Sequence, residues 1–136
     1  MKIELGSDGA CSNNRISIFE EMRMTALLQK AKTLDAMCIN YKDAFKMGTE
    51  DGSRLLQLPV GKIEKGYKAD FVGINMMDMS MQHISKSREQ ILPNIVYSMQ
   101  PNAIEKVVVN GRLTVNKDRL TTVSENEIVK KVKRII

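Results

Sequence analysis

The chain has 136 residues, of which 43% are hydrophobic and 27% charged, and its formal net charge is +5. That length holds one real core and the balance is ordinary for a soluble globular protein, while no apolar run approaches the roughly 18 residues of a membrane span. Lys62, Lys65 and Lys68 are spread beside Glu64 and Asp70, the densest basic cluster, Lys130 to Arg134, lies on the expected last helix, and a 4% aromatic content without tryptophan leaves few surfaces for base stacking, so neither nucleic acid nor membrane is an expected partner.

Met1-Lys2-Ile3-Glu4 has none of the layout of a secretory leader, and the cytoplasm is the expected location. Lys2-Ile3-Glu4-Leu5 alternates polar and apolar residues, the period of a short strand. In "LGSDGACSNN", Gly6 and Gly9 then bracket Ser7-Asp8, and Ser12, Asn13 and Asn14 lead towards a helix. The expected order is strand, tight loop, helix, with one carboxylate at the carboxyl end of the strand, the edge on which α/β folds build their sites.

From Ile16 the apolar spacing becomes three and four: Ile16, Phe19, Met22, Ala26 and Leu27 share a stripe. Glu20 and Glu21 fall early and Lys30 and Lys32 late, as the helix dipole favours; Ser17 and Asn14 are both candidate caps. A second helix is expected from Asn40 to Met47 and, after Gly48-Thr49-Glu50-Asp51-Gly52, a short third one through Leu56, ended by Pro59 and Gly61.

Beyond that point the pattern is mostly β. Phe71-Val72-Gly73-Ile74 reads as a strand, "MMDMSMQHISKSREQILPN" as irregular and Met-rich, and "NIVYSM" as a short strand or helix. In "IEKVVVNGRLTV" two β-rich arms meet at Asn110-Gly111, the pair favoured by a two-residue type I′ hairpin. Ser124 followed by Glu127 has the spacing of a capping box, and Ile128, Val129, Val132, Ile135 and Ile136 form the apolar stripe of a last helix.

Asp8 is the one residue whose local setting points to catalysis: a loop-held carboxylate can bind a metal or take a proton from metal-activated water. The structural alternative is a turn aspartate bonding its own loop. His83, the single histidine, cannot make a His-rich metal site and reads as a packing or surface residue. Ser12 and Cys11 lack a nearby base and read as a loop hydroxyl and an unactivated thiol. Cys11 and Cys38 are too isolated for a zinc knuckle or an expected disulfide, and read as small apolar filler. Met76, Met77, Met79 and Met81 read as core or interface packing.

"LGSDGACSNN" followed by "FEEMRMTALLQKA", and then "MGTEDGSRLLQL", "GKIEKGYKADFVGIN", "NIVYSM" and "VVVNGRLTV" in that order, resemble the carboxyl-terminal part of the metal-dependent amidohydrolase superfamily. The likeness is greatest to its chlorohydrolases and its deaminases of methylthioadenosine and S-adenosylhomocysteine. The resemblance implies an α/β fragment. Residues 1–58 would be the last strand and helices of a (β/α)8 barrel, and residues 59–136 the carboxyl-terminal part of a small flanking β-sandwich with a terminal helix. It further implies that Asp8 is the catalytic carboxylate that contacts the metal centre, with zinc or iron as the divalent cofactor of the complete enzyme and a purine nucleoside derivative or related heterocycle as its small-molecule substrate.

The family's metal-binding histidines lie upstream of the matched region, and a full barrel typically needs about 250 residues. The chain is therefore expected to lack the amino-terminal barrel portion. Alone it is expected to be inactive, to hold no metal, and to associate with its missing part or with further copies of itself. A non-catalytic assembly module, a dechlorinating hydrolase and a small basic binding module are the alternatives.

Overall fold

The computed structural model describes residues 3–82 and 87–135. His83, Lys2 of the expected first strand and Ile136 of the expected last helix lie outside them.

The helical layer comes first. α1 spans Ile18–Thr33, and Ser17 is its cap, the Ser17 hydroxyl accepting from Glu20 N at 3.4 Å. It ends at Leu34, whose φ of 54° turns the chain out of the helix. α2 spans Tyr41–Lys46 behind a reciprocal cap: Asn40 Oδ1 accepts from Lys42 N at 2.8 Å and from Asp43 N at 3.2 Å, and Asp43 Oδ2 accepts from Asn40 N at 3.1 Å.

The expected break between the second and third helices is not there. A π-helical turn, Met47–Asp51, carries the chain straight into α3, Gly52–Leu55. Hydroxyl side chains occupy carbonyls in and beside this wide turn, Thr49 Oγ1 donating to Phe45 O and Ser53 Oγ to Glu50 O, each at 2.7 Å. The sequence marks Gly48 and Gly52 as loop residues; in the structure Gly48 serves close packing against α1 instead.

α4, Ile91–Tyr97, settles the ambiguous "NIVYSM" as a helix, with Pro93 tolerated in its first turn. Met22 and Ala26 of α1, Ala44 of α2 and Val96 of α4 form the buried core, with Phe19, Phe45 and Tyr97 packed against it. Of the expected α1 stripe, Met22 and Ala26 are buried, whereas Ile16 and Leu27 are exposed.

The second layer is one antiparallel sheet of four strands in the order β1-β2-β3-β4: β1 Phe71–Ile74, β2 Ile104–Val109, β3 Arg112–Asn116 and β4 Arg119–Leu120. Val72, Val107, Val115 and Leu120 stand in one register row across all four strands, which keeps an apolar line on a single face. The Asn110-Gly111 hairpin is present, with φ of 51° and 76° as a type I′ turn requires. A second hairpin turns at Lys117 and Asp118, with φ of 47° and 60°; without Gly or Asn it carries little signal in the sequence. Where a share of a β-sandwich was expected, the described residues form this single sheet.

α5, Glu125–Val132, follows the Ser124 cap, which accepts from Glu127 N at 3.4 Å. Glu125 rather than Glu127 reaches back, its Oε1 accepting from Leu120 N at 3.1 Å and so tying the helix to β4. The stripe of Ile128, Val129 and Val132 is only half covered, and Ile135 is exposed.

Ile3, Glu4 and Leu5 are not a strand. Leu5 N donates to Met47 O at a long 3.4 Å, and no strand lies beside the segment among the described residues. A strand exists only through its neighbours, and the alternating sequence cannot supply them. Met81 is buried as packing, but Met77 and Met79 are largely exposed, and both Cys11 and Cys38 lie at the surface, so none of these four is core filler.

Candidate active-site loop

Loop 6–14 joins the amino-terminal segment to α1 and carries Asp8. Asp8 has φ of 56°, in the left-handed region. That conformation costs an L residue about 1–2 kcal/mol, less for Asp, whose short side chain can bond locally. It does so here: Gly9 N donates to Asp8 Oδ1 at 2.6 Å. This is the turn-aspartate reading of the sequence, an Asp bonded to its own loop. One carboxylate oxygen holds the loop, while Oδ2 accepts nothing from the described residues and the side chain is exposed.

The rest of the loop closes on Gly9 and Asn13. Gly9 O accepts from Ser12 N at 3.0 Å and from Asn13 N at 2.9 Å. Asn13 is half-buried and uses its whole amide: Nδ2 donates to Ser7 O at 2.9 Å and to Glu21 Oε1 at 2.8 Å, and Oδ1 accepts from Arg15 N at 3.0 Å. The sequence places Asn13 at the helix entry, near enough to Asp8 to edge a site there, and Glu21 as an early acid that suits the helix dipole. Their joint role leaves no trace at either position, because it depends on how the loop folds back over the first turn of α1. Of the two candidate caps, Ser17 and Asn14, the helix uses Ser17.

Ser12 is a loop hydroxyl, 3.8 Å from Cys11 Sγ, and among the described residues no base bonds to it. A surface cavity of about 390 Å³ lies at the start of α1 between Arg15, Phe19, Arg23, Met99 and Gln100, and Asp8 is not part of its lining. Among the described residues, no three His, Cys, Asp or Glu side chains converge to hold a metal ion, and no helix is long and apolar enough to cross a membrane. An exposed carboxylate with one uncommitted oxygen fits a single position in the ligand set of zinc or iron, which accept carboxylate oxygen. It does not make a complete site.

The comparisons with known proteins agree on the kin of this loop. The 5′-deoxyadenosine deaminase of Methanosphaera stadtmanae is 35% identical over 129 residues, 95% of this chain and 29% of that protein. The 5-methylthioadenosine/S-adenosylhomocysteine deaminase of Syntrophomonas wolfei subsp. wolfei is 32% identical over 133 residues, 96% of this chain and 30% of that protein. The chain thus spans less than a third of the length of these relatives. In three dimensions it matches an adenosine deaminase from Xanthomonas campestris with bound zinc, with a TM-score of 0.88, 24% identity, and coverage of 98% of this chain and 30% of that one. It also matches the zinc complex of an atrazine chlorohydrolase from Arthrobacter aurescens, with a TM-score of 0.84, 18% identity, and coverage of 99% and 30%. At such identities these two structures speak for the fold alone. With the amidohydrolase family model matching residues 1–114, the chain belongs to the amidohydrolase family.

Proposed function

We propose that this chain is the carboxyl-terminal part of a metal-dependent deaminase that hydrolyses a carbon–nitrogen bond of an adenosine derivative, with Asp8 as its proton-handling carboxylate. The observation that carries the reading is the Asp8 loop itself, in which Gly9 N–H fixes Oδ1 and leaves Oδ2 to act. Relatives named as deaminases of 5′-deoxyadenosine and of methylthioadenosine or S-adenosylhomocysteine support the substrate class. A zinc or iron ion, when bound, supplies the acidity that lets a water attack carbon at neutral pH. Asp8 would hold that ion from one side, accept the water's proton at Oδ2 and pass it to the departing amine.

Exposed apolar residues on both layers support a larger assembly. Leu27 and Leu28 on α1, and Phe71, Val72 and Val109 on the sheet, are each at least 40% exposed, and apolar side chains grouped on a surface are what an interaction face offers. The missing barrel portion would cover it; self-association is the alternative cover. Alone, the chain would be inactive, because one carboxylate does not retain a catalytic ion.

The reading is tested by ammonia release from 5′-deoxyadenosine and methylthioadenosine with the complete zinc-loaded enzyme. Release from at least one is expected. No release from either, with chloride release from a chlorinated triazine, would replace deamination by dechlorination.

A further inference from the structure

We infer that Asn13 is the positioning residue of the Asp8 carboxylate, holding it in its working pose by tying the peptide before it to the first turn of α1. This role presupposes the function of Asp8 given above. The carbonyl of Ser7 belongs to the same peptide plane as Asp8 N–H, so its direction is set by ψ of Ser7 and φ of Asp8. With φ at 56°, Asp8 has a lower-energy alternative on the negative side, and moving there would swing its Cα–Cβ bond and the carboxylate with it. A donor on Ser7 O opposes that swing, and Asn13 Nδ2 is that donor, at 2.9 Å.

Asn13 can hold because it is itself held. Its second Nδ2 hydrogen goes to Glu21 Oε1 at 2.8 Å and its Oδ1 takes Arg15 N–H at 3.0 Å. Both partners of Nδ2 are pure acceptors, so a flipped amide would set oxygen against oxygen twice and lose the bond to Arg15 as well. Glu21 lies on α1 one turn beyond its Ser17 cap, so the loop is braced against a regular element rather than against another loop. Cys11 and Ser12 make no contact with the Asp8 carboxylate that could substitute for this brace. Positioning of this kind matters because a displacement of about 1 Å at a reacting group can lower turnover about 10²-fold.

The test uses two variants of the complete enzyme. Asn13→Asp keeps the size but points an acceptor oxygen at Ser7 O and at Glu21, so kcat and the thermal midpoint should both fall, kcat by about 10²-fold with KM little changed. Adding Glu21→Gln to Asn13→Asp places an amide donor at position 21, facing the carboxylate newly introduced at position 13. The tie to α1 returns and with it the thermal midpoint, but Ser7 O still lacks its donor, so kcat stays low. In the metal-free protein, the Gly9 amide should exchange with solvent faster in both variants than in the parent. Recovery of kcat together with the thermal midpoint, or unchanged Gly9 exchange, would overturn the role. Asp8→Asn separates the two levels: loss of turnover there with normal kcat in Asn13→Asp removes only the role of Asn13, whereas normal turnover in Asp8→Asn removes the function of Asp8 on which it rests.

Discussion

Gly48 lies so close to Met22 that a Cβ at position 48 would fall inside the Met22 side chain, overlapping its terminal methyl and crowding Cγ at 2.9 Å and Sδ at 3.3 Å. Met22 is 1% exposed at the centre of the core, so it has little room to give way. Gly48→Ala should destabilise the fold by about 1–3 kcal/mol, the usual range for overpacking. Met22→Ala removes the obstacle, so in urea unfolding the double variant should lose less than the sum of the two single losses. Strict additivity would mean that the two residues are not in contact.

A clip at Asp78 makes stability depend on acid. Asp78 Oδ1 accepts from Ser80 Oγ at 2.6 Å and from Ser80 N at 2.9 Å, and Oδ2 accepts from Asn102 Nδ2 at 3.2 Å. The Ser80 hydroxyl, and after it the Ser80 N–H, hold this carboxyl below its usual range against a smaller opposing effect of burial. A carboxyl depressed in the folded state contributes stability above the unfolded value of about 3.9, and that contribution is lost as pH falls through the depressed value. Asp78→Asn should therefore flatten the pH dependence of stability below about pH 4. An unchanged slope across that window would show that the clip does not operate.

The helical core rests on a side-chain cap that one substitution removes. Asn40 occupies Lys42 N and Asp43 N with a single oxygen and receives Asp43 in return. Because α2 is only six residues long, it has little propensity of its own to offset the loss. Asn40→Ala should cost about 1 kcal/mol and Asn40→Asp far less. Equal losses in the two variants, measured by thermal unfolding, would point to packing rather than capping.

These relationships differ in how openly the sequence announces them. The β2–β3 hairpin was legible because Asn110-Gly111 is a local signal for a local turn, and β1 and α1 because their residue types and spacing are local too. The amino-terminal segment was not: Ile3 and Leu5 alternate as a strand does, but strand formation depends on partners elsewhere. The wide turn at Met47–Asp51 was hidden because Gly48 reads as a chain breaker, and only the position of Met22 shows it to be a packing glycine. The exposed Cys11 and Cys38 went against the general habit of free thiols, which residue type alone carries. In the proposed site, the glycine-flanked loop and the family likeness single out Asp8 in the sequence, whereas Asn13 and Glu21 become a pair only once the loop has folded back on α1.

The proposed function predicts different metal contents for the chain alone and for the complete enzyme. Asp8 offers one uncommitted oxygen, and among the described residues no cluster of three ligating side chains accompanies it. Zinc titrated into the purified chain, with a chromophoric chelator as competitor, should stay with the chelator, whereas the complete enzyme should retain about one ion per active site. Stoichiometric zinc on the purified chain would contradict the division of the site between two parts of the enzyme.

The most direct measurement is the turnover of the complete enzyme with Asp8→Asn, determined beside its metal content and thermal midpoint. Loss of proton transfer at this carboxylate should lower kcat by about 10²–10⁴-fold in a protein that remains folded. Turnover close to that of the parent would show that Asp8 neither handles the proton nor completes the site, and would leave it as a turn residue bonded to Gly9.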